Sequence, residues 1–328
     1  MHCVGLRRQR RQRLVQQGVF LTSYRHRSLK RRCHTVGSGG RFAHVLRPRE
    51  ILTFCYRPTR LPIAAGIPHR VDNAIMNTHA PLLDIVIASY NRLPHLRRAI
   101  EAVRATVAAP YRLIVVDGDS PDGTSNWCLA QRDIHLIREE RREGATRAYN
   151  KGFRAATAPF VMWLNDDARP LPGAIDAALA MFSRSDLFDL GMVAFYHNER
   201  RPWNRLDTVV YGGAAYSIYN VRGWPYANFG LLPTGLLGGL GYLDERYRFC
   251  AWDPDLSLKV QREAGLRVLG CRAALIHHDE LHDERKVADL AVIDADNAKL
   301  FEKWNLPPKN SYADPAPTYQ QLARALAL

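Results

Sequence analysis

The chain has 328 residues, of which 47% are hydrophobic, and a formal net charge of +14. This is enough apolar material for a globular core, in one large domain or two smaller ones. Residues 1–75 hold sixteen of the 46 basic residues and two of the 32 acidic residues, so residues 76–328 hold 30 of each and are electrically neutral. The neutral body gives no charge-based reason to expect a nucleic-acid-binding protein.

The six cysteines are scattered along the chain and form no CxxC pair. Their spacing predicts free thiols in a reducing compartment, and therefore a cytoplasmic protein. The sequence contains no run of about 18 apolar residues, so no membrane-spanning helix is expected. Peripheral contact with a membrane stays an open alternative.

Residues 1–75 are rich in arginine and poor in acids, which predicts weak order. They fit an Arg-rich targeting segment, a basic arm that touches anionic lipid or nucleic acid, or a leader absent from the working protein. The third interpretation is favoured, because Met76 stands where the composition changes. A misassigned start codon before Met76 would explain that change.

Apolar runs alternate with amphipathic segments from residue 82 onward. The pattern predicts strands in LLDIVIAS (82–89), YRLIVVDGDS (111–120), DIHLIREE (133–140) and PFVMWLNDD (159–167), with helices in LPHLRRAIEAVRATVA (93–108) and GATRAYNKGFRAAT (144–157). Strand–helix alternation of this kind is typical of an α/β protein whose mostly parallel central sheet is flanked by helices.

Polar side chains follow three of these strands, and ligands of such sheets bind beyond the carboxyl ends of the strands. The residues are Ser89 and Asn91, then Asp117, Ser120 and Asp122, then Asp166 and Asp167. Their oxygens suit Mg²⁺ or Mn²⁺ carrying phosphates. The chain has no GxxxxGK[ST] loop, so a bound phosphate would need a metal to neutralise it.

Each acidic cluster also has a purely structural interpretation. Asp166 and Asp167 would form a turn that ends a strand, with Asp167 capping the next helix. The stretch 115–124 would be an ordinary turn. Alternatively, Asp117 at a strand end would accept hydrogen bonds from a nucleobase or a ribose.

Asp253 precedes Pro254 and a helical segment, which predicts an N-cap followed by proline at the first helical position. The same carboxylate could serve as a general base. Trp252 would then raise its pKa by excluding water. Asp255 is the competing carboxylate.

His277 and His278 end a further predicted strand. A histidine at a strand end is most often an ordinary polar residue. A metal on Asp167 would favour a ligand role, because imidazole is a common ligand of transition metals.

Taken in order, the motifs resemble those of the family 2 glycosyltransferases, whose catalytic domain has the GT-A fold. The resemblance covers residues 82–280 and is carried by DIVIASYNR, VVDGDSPDGT, GATRAYNKG, WLNDDARP, LLGGLGYLDERY, WDPDLSLKVQREAG and ALIHH. It implies inverting transfer of a sugar from a nucleotide-sugar donor to an acceptor hydroxyl. The sequence departs from the family pattern at two places. In DGDS, Gly118 and Asp119 stand in the reverse of the usual order, and Trp252 stands where the family commonly has an acidic residue.

The resemblance also implies roles for individual residues. Ser89, Tyr90 and Asn91 would line the nucleotide pocket, Asp117 would bind the base, and Arg147 would contact the nucleotide or its diphosphate. Asn165, Asp166 and Asp167 stand where the family has its DXD motif, with Asp166 facing the ribose and Asp167 holding Mg²⁺ or Mn²⁺. Asp253 corresponds to the catalytic base and His277 to a metal-side residue, and segment 235–247 would shape the acceptor side.

Two other functions stay open from the residues alone. A sugar-phosphate nucleotidyltransferase would need a Gly-rich, Lys-bearing loop after the first strand, which ASYNRLPHL lacks. A non-catalytic GT-A protein would depend on the basic arm rather than on Asp167. The donor base (UDP, GDP or dTDP) and the acceptor (glycan, lipid-linked sugar or protein) are not fixed by the sequence.

The expected domain organisation has three parts. Residues 1–75 form the basic extension, residues 76–285 the catalytic domain, and residues 286–328 a helical and Pro-rich tail. The closing TYQQLARALAL is amphipathic, so it would either pack against the domain or lie on a membrane.

Overall fold

The computed structural model describes residues 80–198, 204–281 and 284–307. The basic extension 1–75, the start at Met76 and the closing amphipathic segment lie outside these ranges and stay predictions. The helices are α1 Leu93–Thr106, α2 Thr124–Leu129, α3 Ala145–Ala155, α4 Ala174–Met181, α5 Thr234–Gly239, α6 Trp252–Leu258 and α7 Glu284–Lys303. The strands are β1 Leu83–Ser89, β2 Tyr111–Asp117, β3 Ile134–Arg138, β4 Phe160–Asn165, β5 Ala168–Pro170, β6 Leu190–His197, β7 Arg205–Tyr211, β8 Ala214–Val221, β9 Trp224–Tyr226, β10 Gly230–Pro233 and β11 Arg267–His278.

The first four predicted strands form the parallel part of the sheet, in the order β3-β2-β1-β4. Their carboxyl ends are level, because Ser89 pairs with Asp117 on one side and Ala88 with Asn165 on the other. Strand β1 is almost entirely buried, as expected for a strand covered on both faces. The three polar clusters named from the sequence therefore end at one edge of the sheet.

Beyond β4 the sheet becomes mixed. Strand β10 runs antiparallel between β4 and β6, and β6 is parallel to β11. Strand β5 pairs antiparallel with the end of β11, so that Ala168 lies opposite His278. This pairing brings the residues after β4 next to the end of β11, far away in sequence.

Helix α3 packs closely on the parallel strands because of one glycine. A Cβ atom at Gly152 would lie 2.2 Å from Val86 Cγ1 and 3.4 Å from Val116 Cγ2. Phe153, the next residue, packs edge-on against Trp163 of β4, with ring centroids 6.3 Å apart. Trp163 in turn contacts Trp252 at 5.7 Å. This chain of aromatic contacts fixes α3, the sheet and α6 relative to one another.

The C-terminal helix belongs to the folded domain, so the expected boundary at residue 285 is wrong. Helix α7 begins at Glu284, and Leu300 near its end is 1% exposed. Trp304, just beyond the helix, is 8% exposed and joins the core. Among the described helices, none has both the length and the apolarity needed to cross a membrane.

Candidate active site

Asp166 and Asp167 lie side by side where β4 ends, and both are at most 5% exposed. Ser89, at the end of the adjacent β1, donates its hydroxyl to Asp166 Oδ2 at 2.9 Å. Helix α4 is capped by Gly173, so the interpretation of Asp167 as its cap is wrong. Buried carboxylates need charged or hydrogen-bonding partners, and those partners define the site.

Arg92 supplies a positive charge to this acid pair. Its Nη1 atom donates to Asp166 Oδ1 at 3.2 Å and to Asp167 Oδ2 at 3.1 Å. Arg92 occupies the N-cap position of α1 but makes no side-chain cap there. Asp122 accepts from the N–H of Leu93 instead, at 2.8 Å. This leaves the Arg92 side chain to point along the sheet edge toward the acids.

The histidine beside Asp167 is His278 rather than His277, the residue named from the sequence. His278 Nε2 lies 3.2 Å from Asp167 Oδ1, and the side chain is 14% exposed. His277 is 38% exposed and lies 3.4 Å from Asp279 instead. Neighbouring residues of a strand point to opposite faces, so only one of the two can reach the acid pair.

Burial alone would raise the pKa of Asp167. The hydrogen bond to His278, the positive charge of Arg92 and the N–H of Leu281 outweigh burial and hold the pKa well below its ordinary value. Asp167 is therefore an anion at neutral pH. An ionised, buried carboxylate beside an imidazole is a suitable donor set for a divalent cation.

The donor atoms fit such a cation. Two adjacent ligands of a six-coordinate ion at about 2.1 Å lie roughly 3 Å apart, and Asp167 Oδ1 and His278 Nε2 are 3.2 Å apart. Among the described residues, no group of three or more His, Cys, Asp or Glu side chains is placed to hold a metal ion by itself. Mg²⁺ and similar ions at phosphate sites take one or two carboxylates and complete their shell with phosphates and water.

Asp253 faces the same cleft from α6. The expected N-cap at Asp253 is wrong, because α6 begins at Trp252 and its cap is Ala251, at φ 66°. Asp253 thus lies in the first turn, where the helix dipole favours a carboxylate. Its Oδ2 atom accepts from Asn228 Nδ2 at 3.1 Å, and Asn228 Oδ1 lies 2.9 Å from His197 Nε2. This short chain of side chains orients the Asp253 carboxylate.

Asp255 has a different environment. It is 0% exposed and contacts Tyr247 Oη at 3.1 Å, Trp304 Nε1 at 2.7 Å and Lys303 Nζ at 2.8 Å. Its oxygens are engaged by three buried or half-buried donors away from the cleft. Of the two carboxylates considered for the base, only Asp253 lines the cleft.

These side chains line a cleft of about 350 Å³, in the range of small-molecule sites. The lining includes Ser89, Tyr90, Arg92, Gly118, Glu139, Arg142, Tyr149, Asn165, Asp166, Asp167, His197, Asn228, Asp253, His278, Ile293 and Asn297. Arg142 stacks over the ring of Tyr90, 5.0 Å from its centroid. Tyr149 donates to Asn165 Oδ1 at 2.9 Å. The cleft therefore combines a flat aromatic surface with an anionic and imidazole-bearing end.

Three residues predicted to bind the nucleotide do not line this cleft. Asp117 is buried, and its carboxylate accepts from the hydroxyls of Ser120 and Ser125. Asn91 is exposed at φ 54°, and its N–H donates to Ser120 Oγ at 2.9 Å. Arg147 is half exposed and lies 3.6 Å from Glu245. Their contact with a nucleotide stays a prediction, and segment 235–247 likewise contributes nothing to the lining.

Sequence reasoning missed Arg92 and Asn228, and it named His277 where the structure has His278 beside Asp167. Arg92 directly follows Ser89, Tyr90 and Asn91, so its position next to the carboxyl end of β1 could have indicated that it belongs to the site. The position of Asn228, in an irregular segment before β10, had no such signal. For the histidines, the register shift in β11 between Cys271 and Leu275 prevents the alternation of faces from being counted along the strand.

The chain is similar to known proteins in sequence and in fold. Residues 84–236 match the sequence model of Glycosyl transferase family 2. The uncharacterized glycosyltransferase YwdF of Bacillus subtilis is 25% identical, over 63% of this chain and 78% of that protein. The Escherichia coli UDP-Glc:alpha-D-GlcNAc-diphosphoundecaprenol beta-1,3-glucosyltransferase WfgD is 27% identical, over 32% of this chain and 43% of that protein. The chain spans about a third of the length of several other curated relatives.

A solved structure shows the same fold. The mannosyltransferase PcManGT from Pyrobaculum calidifontis, in complex with GDP-Man and Mn²⁺, superposes with a TM-score of 0.50 at 18% identity. The match covers 76% of this chain and 69% of that one. The expected α/β fold of the GT-A type is thereby confirmed, with a sheet that is parallel at one end and mixed at the other. The resemblance to the family 2 glycosyltransferases is thereby confirmed over residues 84–236, the segment that the family model matches.

Proposed function

We propose that the protein is a metal-dependent, inverting glycosyltransferase that moves a sugar from a nucleoside diphosphate sugar to an acceptor hydroxyl. The observation that carries this proposal is one cleft lined by Asp166, Asp167, His278 and Asp253. It supplies a place for a divalent cation and a separate carboxylate for proton transfer. Single displacement needs no covalent nucleophile from the protein.

Asp167 and His278 would hold Mg²⁺ or Mn²⁺, which when bound stabilises negative charge on the departing diphosphate. Asp166, fixed by the hydroxyl of Ser89, would accept a hydrogen bond from the ribose. Tyr90, with Arg142 stacked on it, offers a flat surface for the base. In this arrangement the donor lies along the carboxyl edge of β1 and β4.

Asp253 would take the proton from the acceptor hydroxyl as that oxygen attacks the anomeric carbon. The attack comes from the face opposite the leaving diphosphate, so the anomeric configuration inverts. Asn228 holds one carboxylate oxygen of Asp253 in place, which reduces the reorganisation needed during proton transfer. The ring of Trp252 packs against Tyr149 and Trp163, and Ala251 caps α6, so the backbone just before the base is anchored.

The comparisons support a nucleotide-sugar donor, since PcManGT was solved with GDP-Man and Mn²⁺, and WfgD is named for its use of UDP-Glc. WfgD acts on a sugar carried by diphosphoundecaprenol, which makes a lipid-linked acceptor one of three candidate classes for this chain. Glycans and proteins are the other two.

Calorimetric titration of the full chain with UDP, GDP and dTDP, with and without Mn²⁺, tests this function. We expect one nucleotide to bind in the presence of Mn²⁺, and we expect Asp167→Ala to abolish that binding. Asp176→Ala serves as the matched control, because Asp176 accepts backbone N–H bonds from Ala108 and Ala109 and does not line the cleft. A folded wild-type protein that binds none of the three nucleotides would contradict the proposal.

A further inference from the structure

The acid pair already contains a buried cation. The Arg92 side chain is 5% exposed, and its Nη1 atom bridges Asp166 Oδ1 and Asp167 Oδ2 at 3.2 and 3.1 Å. A charge-assisted contact of this kind is strong when both partners are withdrawn from water. The two carboxylates and the guanidinium together carry a net charge of about −1 rather than −2.

The two oxygens of Asp167 face different partners. Oδ2 accepts from Arg92 and from the N–H of Leu281, at 3.1 and 3.3 Å. Oδ1 faces His278 Nε2 at 3.2 Å. A divalent ion on Oδ1 and His278 would leave the contact with Arg92 in place. One carboxylate would then carry two cations on opposite sides.

We propose that Arg92 is an internal counter-ion that makes the binding of a divalent metal depend on the donor's diphosphate. The inference rests on the proposed function. A divalent ion alone would turn the charge of the buried group from about −1 to about +1, and uncompensated charge in a desolvated site is unfavourable. The negative charge of the diphosphate compensates this excess positive charge. Metal and nucleotide should therefore bind together, each raising the affinity for the other by the same factor.

Binding of Mn²⁺ to the full chain, followed by the loss of the electron paramagnetic resonance signal of the free ion, tests this coupling without any transfer assay. In the wild type we expect weak binding of Mn²⁺ alone and an affinity at least about tenfold higher with the nucleoside diphosphate that fits. Arg92→Gln and Arg92→Met remove the neighbouring positive charge. Both should bind Mn²⁺ alone about tenfold more tightly than the wild type.

Arg112→Gln is the matched control. Arg112 pairs at 2.7 Å with Asp84, which is 0% exposed and lies at the opposite end of β1 from the cleft. This variant also loses an ion pair at a buried carboxylate, but its Mn²⁺ affinity should equal that of the wild type. Circular dichroism establishes that each variant is folded.

The outcomes separate the two proposals. If both folded Arg92 variants bind Mn²⁺ alone no more tightly than the wild type, although nucleotide still raises the Mn²⁺ affinity of the wild type, the role of Arg92 is wrong and the proposed function stands. If the nucleotide binds equally with and without Mn²⁺ in the wild type, metal dependence fails and the coupling fails with it.

Discussion

Trp304 donates its indole N–H to the buried carboxylate of Asp255 at 2.7 Å, which joins the end of the C-terminal helix to the helix that carries Asp253. Lys303 contacts the same carboxylate at 2.8 Å. The two acids of α6 thus have separate tasks, although two positions separate them in the sequence. Asp255 fixes the helix in the domain, and Asp253 is left to face the cleft.

This division predicts unequal effects of the two acids on stability. Asp255→Ala should lower the free energy of unfolding by about 3 kcal/mol, because it leaves the partners of a buried ion pair without an acceptor. Asp253→Asn, at a position that is only half-buried, should change it by less than about 1 kcal/mol. Urea denaturation, monitored by circular dichroism, measures the free energy of unfolding of both variants. Equal losses for the two variants would refute the separation of roles.

Asp253→Asn should reduce the rate of sugar transfer by about 10²- to 10⁴-fold, because the amide cannot accept the acceptor's proton. Nucleotide binding in the presence of Mn²⁺ should be unchanged. Calorimetry measures the binding, and the release of nucleoside diphosphate measures the turnover. A variant that keeps its turnover would remove Asp253 from the role of base.

The two neighbouring histidines form a matched pair for the metal site. His278→Ala should weaken Mn²⁺-dependent nucleotide binding by about 10- to 100-fold, because it deletes a ligand beside Asp167. His277→Ala should leave this binding unchanged, since His277 faces Asp279. Calorimetric titration of both variants under the same conditions decides the assignment. A larger loss for His277→Ala would reverse it.

Asp296 on α7 holds the loop that leads into α6. Its Oδ2 atom accepts from three successive backbone N–H groups, those of Arg248, Phe249 and Cys250, at 3.0, 2.9 and 3.2 Å. Asp296→Asn should weaken these three hydrogen bonds, so that the loop and Asp253 move out of position. We expect kcat to fall about tenfold and the KM for the donor to stay nearly unchanged.

Asp176→Asn provides the comparison for Asp296→Asn. Asp176 likewise accepts backbone N–H bonds, from Ala108 and Ala109, but in a loop away from the cleft. Both substitutions should cost about 1–3 kcal/mol of stability, as expected when a charged acceptor of hydrogen bonds is lost. Only Asp296→Asn should lower kcat, and an equal fall in both variants would show that stability alone is responsible.

Gly152→Ala tests the close approach of α3 to the sheet. The added methyl group would meet Val86 Cγ1 at 2.2 Å, so the helix must move outward, at a cost of about 1–3 kcal/mol. Gly239→Ala, in a helix where the new Cβ meets nothing within 4 Å, should be neutral or slightly stabilising. Thermal unfolding of both variants measures this difference in stability. Equal stability of the two variants would show that α3 can move away from the sheet at little cost.

The sequence predicted the parallel strands and their common edge well, because β1, β2 and β4 are short, apolar and bounded by turn residues. The hydrogen bond from Ser89 to Asp166 confirms that residues 77 positions apart meet at this edge. Hydrophobic patterning determines such strands locally, so neighbours can be inferred from the order of the elements.

Other features depend on contacts that local patterns do not contain. Helix α6 starts at Trp252 rather than after Asp253 because Ala251 adopts a positive φ of 66°. An alanine rarely adopts this conformation, so the sequence does not predict it. The sequestration of Asp117 by Ser120 and Ser125 depends on how a loop folds back on a strand end. The membership of α7 in the domain follows from Leu300 and Trp304 packing in the core.

Helix α7 lies beyond residues 84–236, the part that matches the family, yet its Ile293 and Asn297 form part of the cleft wall. A change at either position alters the shape of the cleft without touching the strands that carry Ser89 and Asp166. The matched segment and this part of the cleft wall are thus encoded in separate stretches of the chain. Proteins that share the matched segment 84–236 with this chain can therefore differ in the wall of the cleft, because part of that wall comes from a helix outside the segment.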